Sequence, residues 1–571
     1  MFEHTLKRDP VMAGSHDVKP DAGTCPLEKP FLLVALAGIA VGMLMRIRYV
    51  WTADFPLNDG ALFYLMTQEL MEAHFHLPLF TSYNSAAIPF AYPPFGLYAA
   101  GFLASITPFS LLDIVRFLPL IISLLTIPAF ALLARALLVE PHRVAVAVFV
   151  FAVLPRGFLW FIMGGGLTRS FGLLFSLLAL HQGYRLYTKG SWGALALAVL
   201  CTTLTALSHV GIVPFLAIGL MLMWFFYGRN KDGFIRSVGL AVAVLILTSP
   251  WWGSVVARHG METFLAAKAT GGSAFSNSET MRAFITNLAY LAVSGGWGGT
   301  TGEVLFPMFG ALALLGTLLC LVQRQAFFPA WWLLTLIVDA RSGIEYASVP
   351  AAMLTAIGLA DVLFPLLYES SSGIQYPFGR QVSRRGRIGS FLQRLGSPTV
   401  LLVFLLLYAS VPIFLLRPSL GSELRVLAGL TSDDRRAMEW VADTTPTGSS
   451  VLVIPQDRWG VDRHSEWFPV LARRISVATV QGYEWVPGKV FAKRRASFME
   501  LERCRNADAG CLEEWAKNGA VHFSYIYIPQ ASSAQTPSCC SALVASLMDD
   551  PRYRLVYSGP GANIFERRDG R

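Results

Sequence analysis

The chain has 571 residues, 54% of them apolar and only 15% charged, with a mean hydropathy of +0.50. A soluble protein of this size needs more charge to cover its surface, and repeated apolar runs of ~20 residues read instead as membrane spans. The formal charge of +9 is clustered as in the cytoplasmic loops of a multi-pass protein, and no basic stripe interleaved with aromatics points to nucleic acid.

Residues 1–29 are polar and mixed in charge, with Pro and Gly, the composition of a disordered cytoplasmic tail. No small-residue cleavage site follows the first apolar run, so Phe31 to Val50 is expected to stay as an anchor. Further apolar spans fall roughly at 112–137, 143–162, 167–187, 191–207, 210–227, 235–256, 304–322, 326–340, 345–368 and 399–417. A shorter apolar piece, 95–108, follows Tyr92-Pro93-Pro94 and reads as re-entrant or interface-lying. Basic loops at His142-Arg143, Arg185 to Lys189, Arg229 to Arg236, Arg324 and Arg380 to Arg394 set the inside. With the N-terminus also inside, about eleven spans result, or thirteen if 281–295 also crosses, and the C-terminal part lies outside.

The loops placed outside collect the unusual polar residues. They hold Asp54 and Asp59, the turn from Gly164 to Arg169, Ser208-His209, Arg258-His259, and Arg341 to Glu345. Polar groups at the ends of apolar helices are costly unless partnered or hydrated, so their gathering at one face argues for a single site. The long loop 51–94 contains an amphipathic stretch, Leu62 to Glu72, and Leu97 to Ile106 follows it; both are expected along the membrane surface. The loop 257–303 is rich in Gly and Ser near Thr270 to Ser278 and reads as mobile.

From about Ser422 the pattern turns polar and mixed. Helices are expected at 433–443, within 500–518 and at 538–550; strands at 451–455, 475–480 and 523–528; and a closing hairpin over 553–566. Cys504, Cys511, Cys539 and Cys540 lie in this part and permit disulfides on an oxidising side. The expected fold is thus an α-helical polytopic membrane bundle of about 11–13 transmembrane helices, residues 30–420, closed by a C-terminal soluble α/β domain, 421–571.

This plan resembles the GT-C glycosyltransferases, the oligosaccharyltransferase, protein O-mannosyltransferase and aminoarabinose transferase type. The resemblance rests on Asn58-Asp59-Gly60 in the first loop, Tyr92-Pro93-Pro94-Phe95-Gly96-Leu97-Tyr98 at its end, and Arg341 to Pro350. The Pro-Pro-Phe-Gly piece is similar to the Lys-Pro-Pro-Leu element of the bacterial members, with Tyr92 in place of the Lys. The first loop lacks an Asp-x-Asp or Asp-Glu pair, and no Trp-Trp-Asp-Tyr-Gly element is present, which speaks against N-glycosylation of sequons.

The resemblance implies an integral membrane enzyme, placed in the cell membrane, that moves a sugar with inversion from a polyprenyl-phosphate or polyprenyl-diphosphate donor to a lipid, glycan or protein acceptor. Asp59 is then the expected base, with Asp54 the weaker alternative. Arg341, Arg169, Arg46 and Arg48 are the candidates for the donor phosphate. Arg46 and Arg48 also read as snorkelling, Arg341 as paired with Glu345, and the three glycines before Arg169 as helix-packing residues or as an anion cradle. Asn58, Tyr92, His209, Glu345 and Tyr346 complete the candidate set. A divalent metal, magnesium or manganese, is left open. Glu466, Trp467, Glu484 and Trp485 read as core and rim of the small domain before they read as an acceptor surface. A transporter or lipid flippase, and a non-catalytic membrane scaffold, are the competing classes.

Overall fold

The computed structural model describes residues 28–270, 308–338, 343–364, 398–415, 424–530 and 539–568. Most of the expected tail over 1–29, the glycine-rich stretch after Thr270, the candidate span 281–295, the basic loop Arg380 to Arg394, and Arg341 lie outside these residues.

The bundle opens with helix α1, Glu28–Thr52. A crossover over the first loop carries α2, Ala61–Glu72, a two-stranded ribbon of β1, Phe80–Thr81, and β2, Ile88–Pro89, and then α3, Phe95–Ile106. Helix α4, Leu111–Leu138, starts at a capping box in which Ser110 Oγ accepts from the Asp113 amide at 3.1 Å and the Asp113 carboxylate accepts from the Ser110 amide at 3.2 Å. Helix α5, Pro141–Val153, does not run through 143–162 as the hydropathy suggests. The chain bends by 80° into short turns over Pro155–Phe161. Pro155 cannot donate, and it pushes Leu154 to extended backbone at ψ 117°.

Next come α6, Gly166–Lys189, α7, Trp192–Ser208, α8, Val213–Tyr227, α9, Lys231–His259, and α10, Glu262–Thr270. Then follow α11, Met308–Val322, α12, Phe327–Val338, α13, Ser348–Gly358, and α14, Pro398–Leu415. Among the described residues four helices are long and apolar enough to cross a membrane, and the bent α5 pair makes a fifth. Four other apolar stretches, Phe95–Ile106, Trp192–Ser208, Met308–Val322 and Phe327–Val338, fold as helices of 10–17 residues, so the long-helix count is below the eleven to thirteen spans read from hydropathy. Close packing uses small residues. A Cβ at Gly42 of α1 would overlap Ala152 of α5, and one at Gly316 of α11 would overlap the Leu354 carbonyl of α13.

The C-terminal part is an α/β unit. Its strands are β3, Ser450–Val453, β4, Ile475–Ser476, β5, Tyr525–Pro529, β6, Tyr553–Ser558, and β7, Ala562–Arg567, in the order β4-β3-β5-β7-β6. β3 runs parallel to β4 and β5, and β7 is antiparallel to both its neighbours. Alternation sorts the strand residues. Leu452 and Ile526 face α17, Val490–Cys504, and α18, Ala509–Gly519, while Val451 and Val453 face Trp467 and Phe468 of α16, Arg463–Leu471. The unit also holds α15, Ser432–Thr444, and α19, Ser541–Asp549. Disulfides join Cys504 to Cys511 and Cys539 to Cys540.

The second sheet face is continuous with Leu62 and Phe63 of α2 and Leu97 of α3, so the first loop and the soluble unit share one apolar core. The amphipathic stretch expected on the membrane surface is therefore held between α3 and α16. Polar contacts pin the same seam. The Asn84 side chain donates to the Ser476 carbonyl at 2.9 Å and accepts from its amide at 2.7 Å, and the Trp467 indole donates to the Asn58 carbonyl at 3.0 Å. The molecule is a helical membrane bundle carrying a C-terminal α/β domain.

Candidate active site

Asp59 sits between two residues of positive φ, Asn58 at 52° and Gly60 at 121°, and Gly60 leads directly into α2. This sharp turn presses the Asp59 backbone onto the loop before α6. The Gly164 amide donates to the Leu57 carbonyl at 2.9 Å, and a Cβ at Gly164 would overlap the Asp59 carbonyl. The Gly165 amide donates to Asp59 Oδ1 at 2.8 Å, and Arg169, one turn into α6, pairs with Asp59 Oδ2. Gly164 and Gly165 thus allow close approach of the first loop, and one amide, that of Gly165, binds an anion, which is the Asp59 side chain and not a phosphate. Arg169 is braced by the Trp160 carbonyl at 3.2 Å and lies 5.3 Å from the Trp160 ring.

A second carboxyl arrives from the soluble domain. Glu466, on α16, is 6% exposed, and its Oε1 accepts from the Gly60 amide at 2.8 Å. The backbone carbonyl of Glu466 accepts from the Tyr83 hydroxyl at 2.6 Å. Within α16, His464 lies 3.3 Å from Asp434 and 4.0 Å from Asp462, which fixes the helix from below. Burial pushes the Glu466 carboxyl up to about 8, and the Asp59 charge adds to the rise.

Asp59, Arg169 and Glu466 open onto a cavity of about 1020 Å³. One wall comes from the bundle and is largely apolar: Phe161, Val210, Val213, Pro214, Val338 and Tyr346. The opposite wall comes from the soluble domain and is polar and aromatic: Arg458, Trp459, Gln481, Glu484, Trp485 and Arg495. Lys268 of α10 is a further cation on the rim. Tyr92 and His209 lie at the junction, the Tyr92 hydroxyl and Thr168 Oγ1 each 3.4 Å from His209 Nδ1. The Tyr92 ring meets Phe63 edge-on at 4.6 Å, and its hydroxyl is raised to about 12, first by burial.

Of the residues read from the sequence, Asp59, Arg169, Tyr92, His209, Glu345 and Tyr346 line this one cavity. Others are placed elsewhere. Arg46 is fully buried inside the bundle, donating to the Gly42 carbonyl at 2.8 Å, the Ala152 carbonyl at 2.5 Å and Ser123 Oγ at 3.3 Å, with Phe158 under its guanidinium at 4.6 Å. It ties α1 to the end of α5 and neither snorkels nor reaches a phosphate in the cavity. Arg48 is half-buried on α1 and does not line the cavity. Asp54 pairs with Arg435 at 2.6 Å, which holds its carboxyl below the usual value, and it joins the first loop to α15. Asn58 is buried and donates to the Val426 carbonyl at 2.9 Å, so it fastens the loop and does not face the cavity. Arg341 lies outside the described residues. Sequence reasoning passed over Arg458, Lys268 and Arg495, and it set Glu466 and Trp485 down as core and rim; only Trp467 of that group is plain core.

Among the described residues no group of three or more His, Cys, Asp or Glu side chains gathers as a metal site. Asp59 already accepts from an amide and an arginine, a donor set suited to a fixed anion and poor for a divalent cation.

No family model and no curated protein matches the sequence. Solved structures do. ArnT from Cupriavidus metallidurans in the apo state matches with a TM-score of 0.50 at 13% identity, over 93% of this chain and 97% of that one. The chain shares the fold of that structure. The same ArnT bound to undecaprenyl phosphate aligns with a TM-score of 0.49 at 14% identity, again over 93% and 97%. Arabinosyltransferase EmbB from Mycobacterium smegmatis aligns at 0.33 and 15%, over 72% of this chain and 42% of that one. In this chain the first loop, the α6 start and the soluble domain meet around one cavity.

Proposed function

We propose that this protein is an inverting membrane glycosyltransferase that moves a sugar from a polyprenyl-phosphate or polyprenyl-diphosphate donor to an acceptor on the extracytoplasmic face. The observation that carries this reading is the two-sided cavity with the Asp59–Arg169 pair at its seam. The apolar wall suits a prenyl chain, and the polar, tryptophan-bearing wall suits sugar hydroxyls. Asp59 is fixed in place by Arg169 and the Gly165 amide, and a carboxylate so held retains lone pairs for a hydroxyl proton. In the reaction the acceptor oxygen bonds to the anomeric carbon, the bond from that carbon to the phosphate oxygen breaks, and the lipid phosphate leaves with the electron pair. The hydroxyl proton goes to Asp59. Lys268, Arg458 and Arg495 are the cations placed to meet the leaving phosphate.

The test uses the full chain in lipid nanodiscs with a panel of radiolabelled polyprenyl-phosphate pentoses and hexoses, and follows label loss from the lipid. Wild type releases sugar from at least one donor, and Asp59→Asn lowers turnover by about 10³-fold while the protein still unfolds in one cooperative transition, its melting temperature a few degrees lower because Arg169 loses its buried partner. Absence of transfer from every donor, with lipid flux intact, points to a carrier instead.

A further inference from the structure

The proton taken from the acceptor needs a place to go. Asp59 is a poor store: the Gly165 amide occupies Oδ1, Arg169 occupies Oδ2, and the Asp59–Arg169 pair is largely shielded from water. We propose that Glu466, delivered by the soluble domain, is the proton acceptor that relieves Asp59 in each turnover. This rests on the transferase reading above and adds a residue and a direction of proton flow to it.

Three observations carry it. Glu466 lines the same cavity as Asp59 and is almost fully buried. Its Oε1 is spent on the Gly60 amide, the peptide next to Asp59, which leaves one carboxyl oxygen to take a proton. Asp59 and Glu484 act on it as acids, Arg169 as a cation already paired with Asp59, while the Tyr83 hydroxyl bonds its backbone carbonyl and Arg458, Arg495 and Lys268 line the same cavity. Such a setting favours the neutral carboxyl, in agreement with the rise to about 8. Two carboxyls in such different settings divide the labour: Asp59, held by Gly165 and Arg169, abstracts, and Glu466 receives. The cycle balances. The acceptor O–H proton passes to Asp59 and then to ionised Glu466, the lipid phosphate departs with the electrons of the broken bond, and Glu466 returns the proton to water through the cavity. Glu466 must be ionised at the start, so turnover rises with pH through about 8.

Glu466→Gln keeps the acceptor for the Gly60 amide and the side-chain shape but cannot take a proton. The expected result is kcat down about 10²-fold, KM within about threefold, and loss of the limb rising through pH 8. Glu466→Asp recovers part of the rate and keeps a rising limb. Wild-type kcat and an unchanged pH profile in Glu466→Gln overturn the proposal and leave Glu466 as a brace for the Gly60 turn. Infrared difference spectra of wild type against Glu466→Gln at pH 7 read the protonated carboxyl without any substrate. The band is expected to be present and to titrate at lower pH in Asp59→Asn; its absence at pH 7 also overturns the proposal. Should the wild type transfer no sugar, the transferase reading fails by itself, and the infrared arm still decides whether Glu466 holds a proton in the cavity.

Discussion

At Asp59 the backbone is set by one part of the chain and the side chain by another. The turn belongs to the first loop, while the hydrogen bonds to the carboxylate come from the start of α6. Gly165 is where these demands collide, since any Cβ there would overlap Asp59 Oδ2 and the Arg169 guanidinium. Gly165→Ala is therefore expected to break the Asp59–Arg169 pair and cut turnover at least tenfold, measured in the nanodisc assay, with a melting temperature a few degrees lower. The pH dependence of stability gives an activity-free check on Glu466. Its folded carboxyl titrates at about 8 against an ordinary 4.5, so between these values the unfolded chain has lost a proton that the folded one keeps. Stability from this group is full below about 4.5 and declines as pH rises to 8. The melting temperature of wild type is thus expected to fall relative to Glu466→Gln across that window. A constant difference between the two proteins would contradict the shift.

At the scale of elements, α16 joins the membrane part to the soluble part. Trp467 is fully buried, meets Phe55 edge-on at 4.6 Å, and donates to the Asn58 carbonyl. Trp467→Ala removes a large core side chain and a hydrogen bond, and we expect a loss of about 3–5 kcal/mol in denaturant unfolding together with loosening of the Asp59 turn. The exposed Asp54–Arg435 pair beside it is worth no more than about 1 kcal/mol, so Asp54→Asn should leave stability and turnover nearly unchanged. These elements were unequally legible. Long apolar helices such as α4 and α9 declare themselves by hydropathy, and strands β3, β5 and β7 by their alternation. The break after Val153 was signalled by Pro155, but the surrounding apolar run concealed it. Arg46 misled because its place near the C-terminal end of α1 says nothing of the Ala152 carbonyl that receives it. Asp59 stood out through its position after the first span, whereas Glu466 is 406 residues from the amide it accepts from, and no local pattern reports such a partner.

For the whole molecule, the shared core means that the soluble domain and the first loop are one stability unit. The Cys504–Cys511 bridge closes a short loop on the far side of the sheet, joining the end of α17 to α18. Reduction is expected to lower the stability of the soluble domain by about 2 kcal/mol, read as a lower denaturant midpoint, with little effect on Asp59 itself. The seam between residues near 58 and residues near 466 has a further consequence for biosynthesis. At about 5–20 residues per second, a ribosome needs roughly 20–80 s after making the Gly60 turn to make the helix that receives it. Through that interval the nascent loop waits with Leu62, Phe63 and the future pocket of Trp467 bare, so the cavity is complete only after α16 has been made.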